Sequence, residues 1–221
     1  MTNQLKRIFC YFLIAVFIFG CVKENQKTPE EKKGEFKIPE INYDFFELGN
    51  GLKVYVIEDE NTPSVTFQIW YKVGAIDEEK GSTGLSHMLE HTMFLGTKSL
   101  GKDEVHNLIS EVGGINNAGT FYDFTYYYET IPTSKLELAV AIEAERMKNL
   151  TVDPEEFERE KQVVMQERRQ SLENNFFRSA METIKAKAFP EKSGLHHETI
   201  GWMEDISNFS AEKAKNYYQK F

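Results

Sequence analysis

Three side chains within five residues, His87, Glu90 and His91, carry the most chemistry in this sequence. They lie in GLSHMLEHTMF (Gly84 to Phe94), whose apolar residues recur at helical rather than alternating spacing. Gly81, Gly84 and Gly96 stand at its ends, which predicts one short helix. Positions four apart on a helix share a face one turn apart, so the two imidazoles can grip one ion. Glu90 falls on the flank of that face, close enough to reach a water on the ion but poorly placed to displace either histidine. That is where a general base belongs. Two imidazoles, one carboxylate and an open position suit zinc, and HxxEH is the reverse of the zinc motif HExxH.

A chance HxxEH in a chain of this length is on the order of one in a hundred. A polar helix face that happens to carry the three residues is therefore the weaker account. The third protein ligand must come from another element, because one helix cannot surround an ion. Asp153 is a good N-cap, Pro154 suits the first helical position, and Glu156 completes a pattern resembling a capping box, which predicts a helix from Pro154 to about Glu173. On it Glu160 and Glu167 share one face to within about 20° but stand roughly 10 Å apart along the axis. One of them can ligate; the other can orient a histidine or pair with an arginine. Spacing alone does not choose between them. His106, His196 and His197 have no ligand spacing to the motif and read as surface or structural histidines.

The elements that must position these residues follow from periodicity. Tyr43–Leu48 and Leu52–Glu58 flank Gly49-Asn50-Gly51 and read as a hairpin. Ser64–Val73 alternates Val65, Phe67, Ile69 and Tyr71 with Thr66, Gln68, Trp70 and Lys72, a strand with one face on a core. Lys102–Val112 is an amphipathic helix ending at Gly113-Gly114. Ile115–Ile131 is rich in β-formers, and its crowded aromatics read mostly as core and strand filler. Within it Asn116, Asn117, Ala118, Gly119 and Thr120 are small, leaving room for another backbone, so an edge strand here could add a peptide by backbone pairing. Lys135–Leu150 is a helix with Leu136, Ala139, Val140 and Met147 on one side. Further helices are predicted at Phe176–Ala188 and Ser210–Phe221. Strands followed by helices give an α+β class, a mixed or antiparallel sheet with helices packed on one face.

The 221 residues can bury a sizeable core, and a net charge of −9 without a clustered basic stripe argues against a nucleic-acid surface. Lys6 and Arg7 precede the apolar run Ile8–Phe19, too short to span a membrane comfortably, so residues 1–20 read as a signal peptide. Cys21 directly after Gly20 resembles a bacterial lipobox, which predicts lipidation of Cys21 and a membrane anchor. Residues 21–40 read as a flexible tether and 41–221 as the folded domain. Cys10 and Cys21 are the only cysteines, so that domain holds no disulfide. The expected location is the bacterial cell envelope.

Four segments, in order, resemble the pitrilysin-type, or M16, zinc metallopeptidases, whose HxxEH is the inverzincin motif. They are GLSHMLEHTMFLGT (Gly84 to Thr97), GGINNAGTFYDFTYYY (Gly113 to Tyr128), EREKQVVMQERR (Glu158 to Arg169) and IGWMEDI (Ile200 to Ile206). The family's distal ligand is a glutamate in a pattern similar to VVxxE, which Val163-Val164-Met165-Gln166-Glu167 matches 76 residues past His91 (167 − 91 = 76). The resemblance thus implies one zinc ion per chain held by His87, His91 and Glu167, with Glu160 supporting and Glu90 as base. It implies peptides or extended protein segments as substrates, received along Asn116 to Thr120. It also implies a second, similarly folded half or subunit, and a chain that stops at Phe221 where the family pattern continues into another strand. A zinc-binding but non-catalytic partner, or a scaffold lipoprotein of the envelope, is the alternative.

Overall fold

The computed structural model describes residues 40–221. The predicted signal peptide, Cys21 and all but the last residue of the predicted tether lie outside the described residues. The chain divides into two compact units, one ending at Glu58 and one running from Asp59 to Phe221. In the first, β1 (Asp44–Glu47) and β2 (Lys53–Val56) pair antiparallel around the glycine turn, with Asp44 opposite Val56 and Glu47 opposite Lys53. Gly51 supplies the positive φ the turn needs, and Asn50 Oδ1 accepts from Leu52 N at 3.1 Å.

The second unit begins with β3 (Ser64–Tyr71), followed by α1 (Leu85–Thr92), α2 (Glu104–Glu111), β4 (Ile115–Thr120) and β5 (Thr125–Pro132). Its antiparallel sheet has the order β3-β5-β4, so among the described residues β4 is an edge, as its small residues suggest. Val65, Phe67 and Ile131 turn to one face, where α2 supplies Val105 and Ile109 and α3 (Leu136–Asn149) supplies Ala139 and Ile142. The helices therefore cover one face of an antiparallel sheet, the α+β arrangement expected.

Two expectations about faces are corrected. The inward side of α3 is Ala139, Ile142, Glu143 and Arg146, while Leu136, Val140 and Met147 are exposed. Buried charge accounts for the difference: Arg146 pairs with Glu143 one turn back and with Glu129 of β5 at 3.1 Å, and its guanidinium lies over the Phe94 and Tyr127 rings. Once an ion pair fills the inward face, apolarity no longer marks it. The aromatics of the β4–β5 region are likewise mostly not core. Tyr127 is buried, but Tyr126 stacks on Trp70 at 4.9 Å and Phe124 meets Trp70 tilted at 4.8 Å, with Phe121 joining Phe124.

Four further helices complete the unit: α4 (Pro154–Arg168), α5 (Phe176–Ala188), α6 (Met203–Ser207) and α7 (Ala211–Lys220). The predicted cap on α4 is present, Asp153 Oδ1 accepting from Glu155 N and Glu156 N at 3.0 Å. The helix continues to Glu173 as expected, but its last turn, Arg169–Glu173, widens to π-helical hydrogen bonding. A second core seats α1: Leu85, Met88 and Leu89 pack with Phe157 and Val164 of α4, Ile206 of α6, and Ala214 and Tyr217 of α7. One side of α1 is thus sealed in hydrocarbon, and the other presents the histidines.

Candidate metal centre

His87 and His91 leave α1 on the same side, ring centroids 4.7 Å apart. Across from them α4 brings Glu167, whose Oε2 stands 3.7 Å from His87 Nε2 and 3.4 Å from His91 Nε2. Among the described residues these three form the cluster able to hold a metal ion. Tetrahedral bonds of about 2.0–2.1 Å place their donor atoms about 3.3–3.4 Å apart. The set of two imidazole nitrogens and a carboxylate oxygen at these separations fits zinc.

Glu160, one face-repeat earlier on α4, does something else. Its Oε1 lies 2.8 Å from His91 Nδ1, the ring nitrogen turned away from Glu167. A carboxylate there fixes the ring and leaves Nε2 as the donor atom facing the cluster. The two glutamates therefore reach different nitrogens of one histidine. Arg168 anchors the end of α4, giving two hydrogen bonds to the Glu182 carboxylate at 2.9 and 3.1 Å and one to Gly201 O at 2.6 Å.

Glu90 points to the strand side. Thr120 Oγ1 donates to its Oε2 at 2.5 Å, so the last residue of β4 holds the predicted base. The sequence marks Thr120 only as a substrate contact, because no local spacing signals a bond across 30 positions. Other β4 residues are also partly engaged. Asn117 Oδ1 accepts from Ala118 N at 2.9 Å, and Asn116 Oδ1 lies 3.0 Å from His106 Nδ1. Gly119 has a reason besides backbone approach, since a Cβ there would meet the Tyr126 ring at 2.7 Å. His196 and His197 stay outside the cluster; each has its Nδ1 2.9 Å from a backbone carbonyl, of Phe189 and Glu198 respectively.

The electrostatics separate the two histidines. Burial, reinforced by the charge on His91, pushes His87 down to about 4 and keeps it neutral. Burial also opposes charge on His91, but hydrogen bonds to Glu160 and Glu167 and the nearby Glu90 outweigh it and lift His91 to about 9. The His91 hydrogen bond holds Glu167 below its usual range, whereas burial raises Glu90 against the Thr120 bond. Metal-free protein at pH 7.5 thus carries a proton on His91 that a metal must displace. Metal uptake should release one proton per ion, and affinity should rise about tenfold per pH unit between about 4 and 9. Calorimetry in buffers of different ionisation enthalpy checks this; zero protons released would mean that His91 is neutral before binding.

Fold and site together describe an α+β half-domain carrying an HxxEH helix, and the sequence profile of the insulinase family (peptidase family M16) matches residues 53–198. The chain belongs to that family. Among its relatives, the zinc protease PqqE of Helicobacter pylori is 34% identical over 178 residues, 79% of this chain and 39% of that protein. The mitochondrial-processing peptidase subunit beta of Bos taurus is 30% identical over 170 residues, 77% and 34% of the two chains. In three dimensions a protease from Helicobacter pylori superposes with a TM-score of 0.76 at 32% identity, over 80% of this chain and 43% of that one. The periplasmic protease PqqL from Escherichia coli shares the fold with a TM-score of 0.73 at 23% identity, over 82% and 21%. The chain spans about two fifths of the length of the PqqE relative.

Proposed function

We propose that this chain is the zinc-binding catalytic half of a metalloendopeptidase that cleaves peptides or extended protein segments. The observation that carries the reading is the convergence of His87, His91 and Glu167 from two helices, with the partly buried Glu90 carboxyl on the same helix as the histidines. When bound there, zinc supplies a Lewis acid for the scissile carbonyl and acidifies the attacking water. His87, His91 and Glu167 hold the ion, and Glu160 keeps His91 in the tautomer that ligates. Glu90 takes the proton of the attacking water and returns it to the leaving amine. Thr120 keeps the Glu90 carboxyl turned toward the end of β4, where the substrate backbone pairs along Asn116 to Thr120.

A second M16-like half or subunit, contributing the opposite wall of the substrate chamber, belongs to this reading. Zinc content and hydrolysis of a quenched peptide, measured on this chain alone and with a second M16-like half or subunit added, test it together. Stoichiometric zinc with turnover that is weak alone and restored by the added half is the expected result. Zinc without turnover in either case makes the chain a non-catalytic partner, and no zinc removes the enzyme reading.

The envelope location is proposed from the export signal of residues 1–20, and the structural neighbour PqqL of E. coli is a periplasmic protease. Anchoring through Cys21 is part of the same proposal, and a mature mass without acyl chains on Cys21 would remove it.

A further inference from the structure

The two histidines of the cluster are not held alike. Glu160 grips His91 through Nδ1, whereas His87 Nδ1 is buried without a hydrogen-bond partner among the described residues. With no hydrogen bond at Nδ1 to hold the ring, the aim of His87 depends on packing and on its backbone, which sits in the first turn of α1. That turn has no side-chain cap of its own: Gly84, at the N-cap, lies in the left-handed region with φ 88 and offers no side chain. The N–H groups that open a helix need partners from outside it.

One carboxylate supplies two of them. Glu78 Oε2 accepts from Gly84 N and Glu78 Oε1 from Ser86 N, each at 2.7 Å, immediately before His87. The Glu78 side chain is fully buried. The surroundings leave the turn little freedom. A Cβ on Gly84 would meet Ile200 O at 2.2 Å, and one on Gly201 would meet Thr83 O at 2.0 Å. Asp205 Oδ2 accepts from Thr83 N at 3.1 Å and Thr83 Oγ1 at 2.6 Å, while Trp202 N donates to Thr83 Oγ1 at 2.9 Å. The Ile200–Trp202 backbone and the Asp205 carboxylate hold Thr83 and Gly84, and Glu78 holds the start of the turn that follows. His197 Nε2 closes the far side, 4.0 Å from Glu78 Oε2.

We propose that Glu78 is a positioning residue for the metal centre: by binding the Gly84 and Ser86 N–H groups it aims His87, as Glu160 aims His91. A glutamine at 78 accepts through one oxygen only and turns an NH₂ donor toward the other N–H, so the clamp is broken with little change in volume.

The inference rests on the metal reading, and its test separates the two. Wild type, Glu78→Gln and Ile109→Val are titrated with Co²⁺, whose visible spectrum reports donor geometry, and with Zn²⁺ against a chromophoric chelator. Amide hydrogen exchange of the metal-free proteins is followed in parallel. Glu78→Gln should weaken binding of both ions by about 10–100-fold, the range found when a residue supporting a ligand is lost. It should also alter the Co²⁺ spectrum and speed exchange at Gly84 and Ser86. Ile109→Val, in the other core cluster, should lower the melting temperature and leave affinity unchanged. Unchanged affinity and spectrum in Glu78→Gln overturn the proposal, as does a loss that Ile109→Val reproduces. Should Glu78→Gln fail to fold, Glu78→Asp keeps the carboxyl group but is one methylene too short to reach both N–H groups. The same weakening is then expected of it, and wild-type affinity overturns the proposal. A wild type that binds neither ion overturns the metal reading and this proposal with it.

Discussion

Glu90→Gln should retain stoichiometric zinc while peptide turnover falls by about 10²–10⁴-fold relative to wild type under the same conditions. The amide keeps the size of the carboxylate and still accepts the Thr120 hydrogen bond, so neither α1 nor β4 has reason to move. None of the three converging donors is touched. What disappears is the capacity to take a proton. Burial strengthens that capacity by raising Glu90 above the ordinary carboxylate range, although Thr120 restrains the rise. Metal analysis and turnover on the same preparation decide the matter. Turnover within a few-fold of wild type, with zinc still stoichiometric, would move the base elsewhere.

Glu167→Gln should strip the metal, and Glu160→Gln should only weaken it. The Glu167 oxygen stands 3.4 Å from His91 Nε2 and 3.7 Å from His87 Nε2, where it can supply both a bond and a charge. The Glu160 oxygen lies at the opposite nitrogen of His91 and can act only through the ring. Loss of such a supporting carboxylate costs about 10–100-fold in affinity. Loss of the ligand itself should exceed that and leave the purified protein largely metal-free. Competition with a chelator of known affinity ranks the two variants. A reversed order would give the ligand role to Glu160 and require α4 to shift along its axis by nearly two turns.

Much of this was legible without coordinates, for reasons that are local. The i, i+4 spacing of His87 and His91 puts both rings on one face of any helix, and the flanking glycines bound that helix. Asp153 and Pro154 announce the start of α4 because a capping side chain and a preset φ act within one turn. Alternation in Ser64–Tyr71 predicts which side chains turn inward, and the observed burial follows it. Helix pitch shows that Glu160 and Glu167 cannot play the same part, because both the angle and the rise are fixed by the backbone.

What helix pitch left open was which carboxylate meets which nitrogen, since the two helices are joined by a long stretch of chain and their relative setting comes from side-chain packing. Met88 and Leu89 against Phe157 and Val164 set it, and with it the place of Glu167 beside both Nε2 atoms and of Glu160 at Nδ1. The same holds for the inward face of α3. Arg146 is buried because Glu129, on a different element, waits there, and an ion pair between distant positions leaves no periodic trace in the sequence. Thr120 and Glu78 belong to this second class. Each acts through hydrogen bonds to a helix it is not part of, so its role appears only when strand, turn and helix are packed together. The sequence by itself determined the kinds of groups and their local geometry; the tertiary structure decided which of them meet, because packing of the two cores, rather than chain spacing, sets the distances between elements.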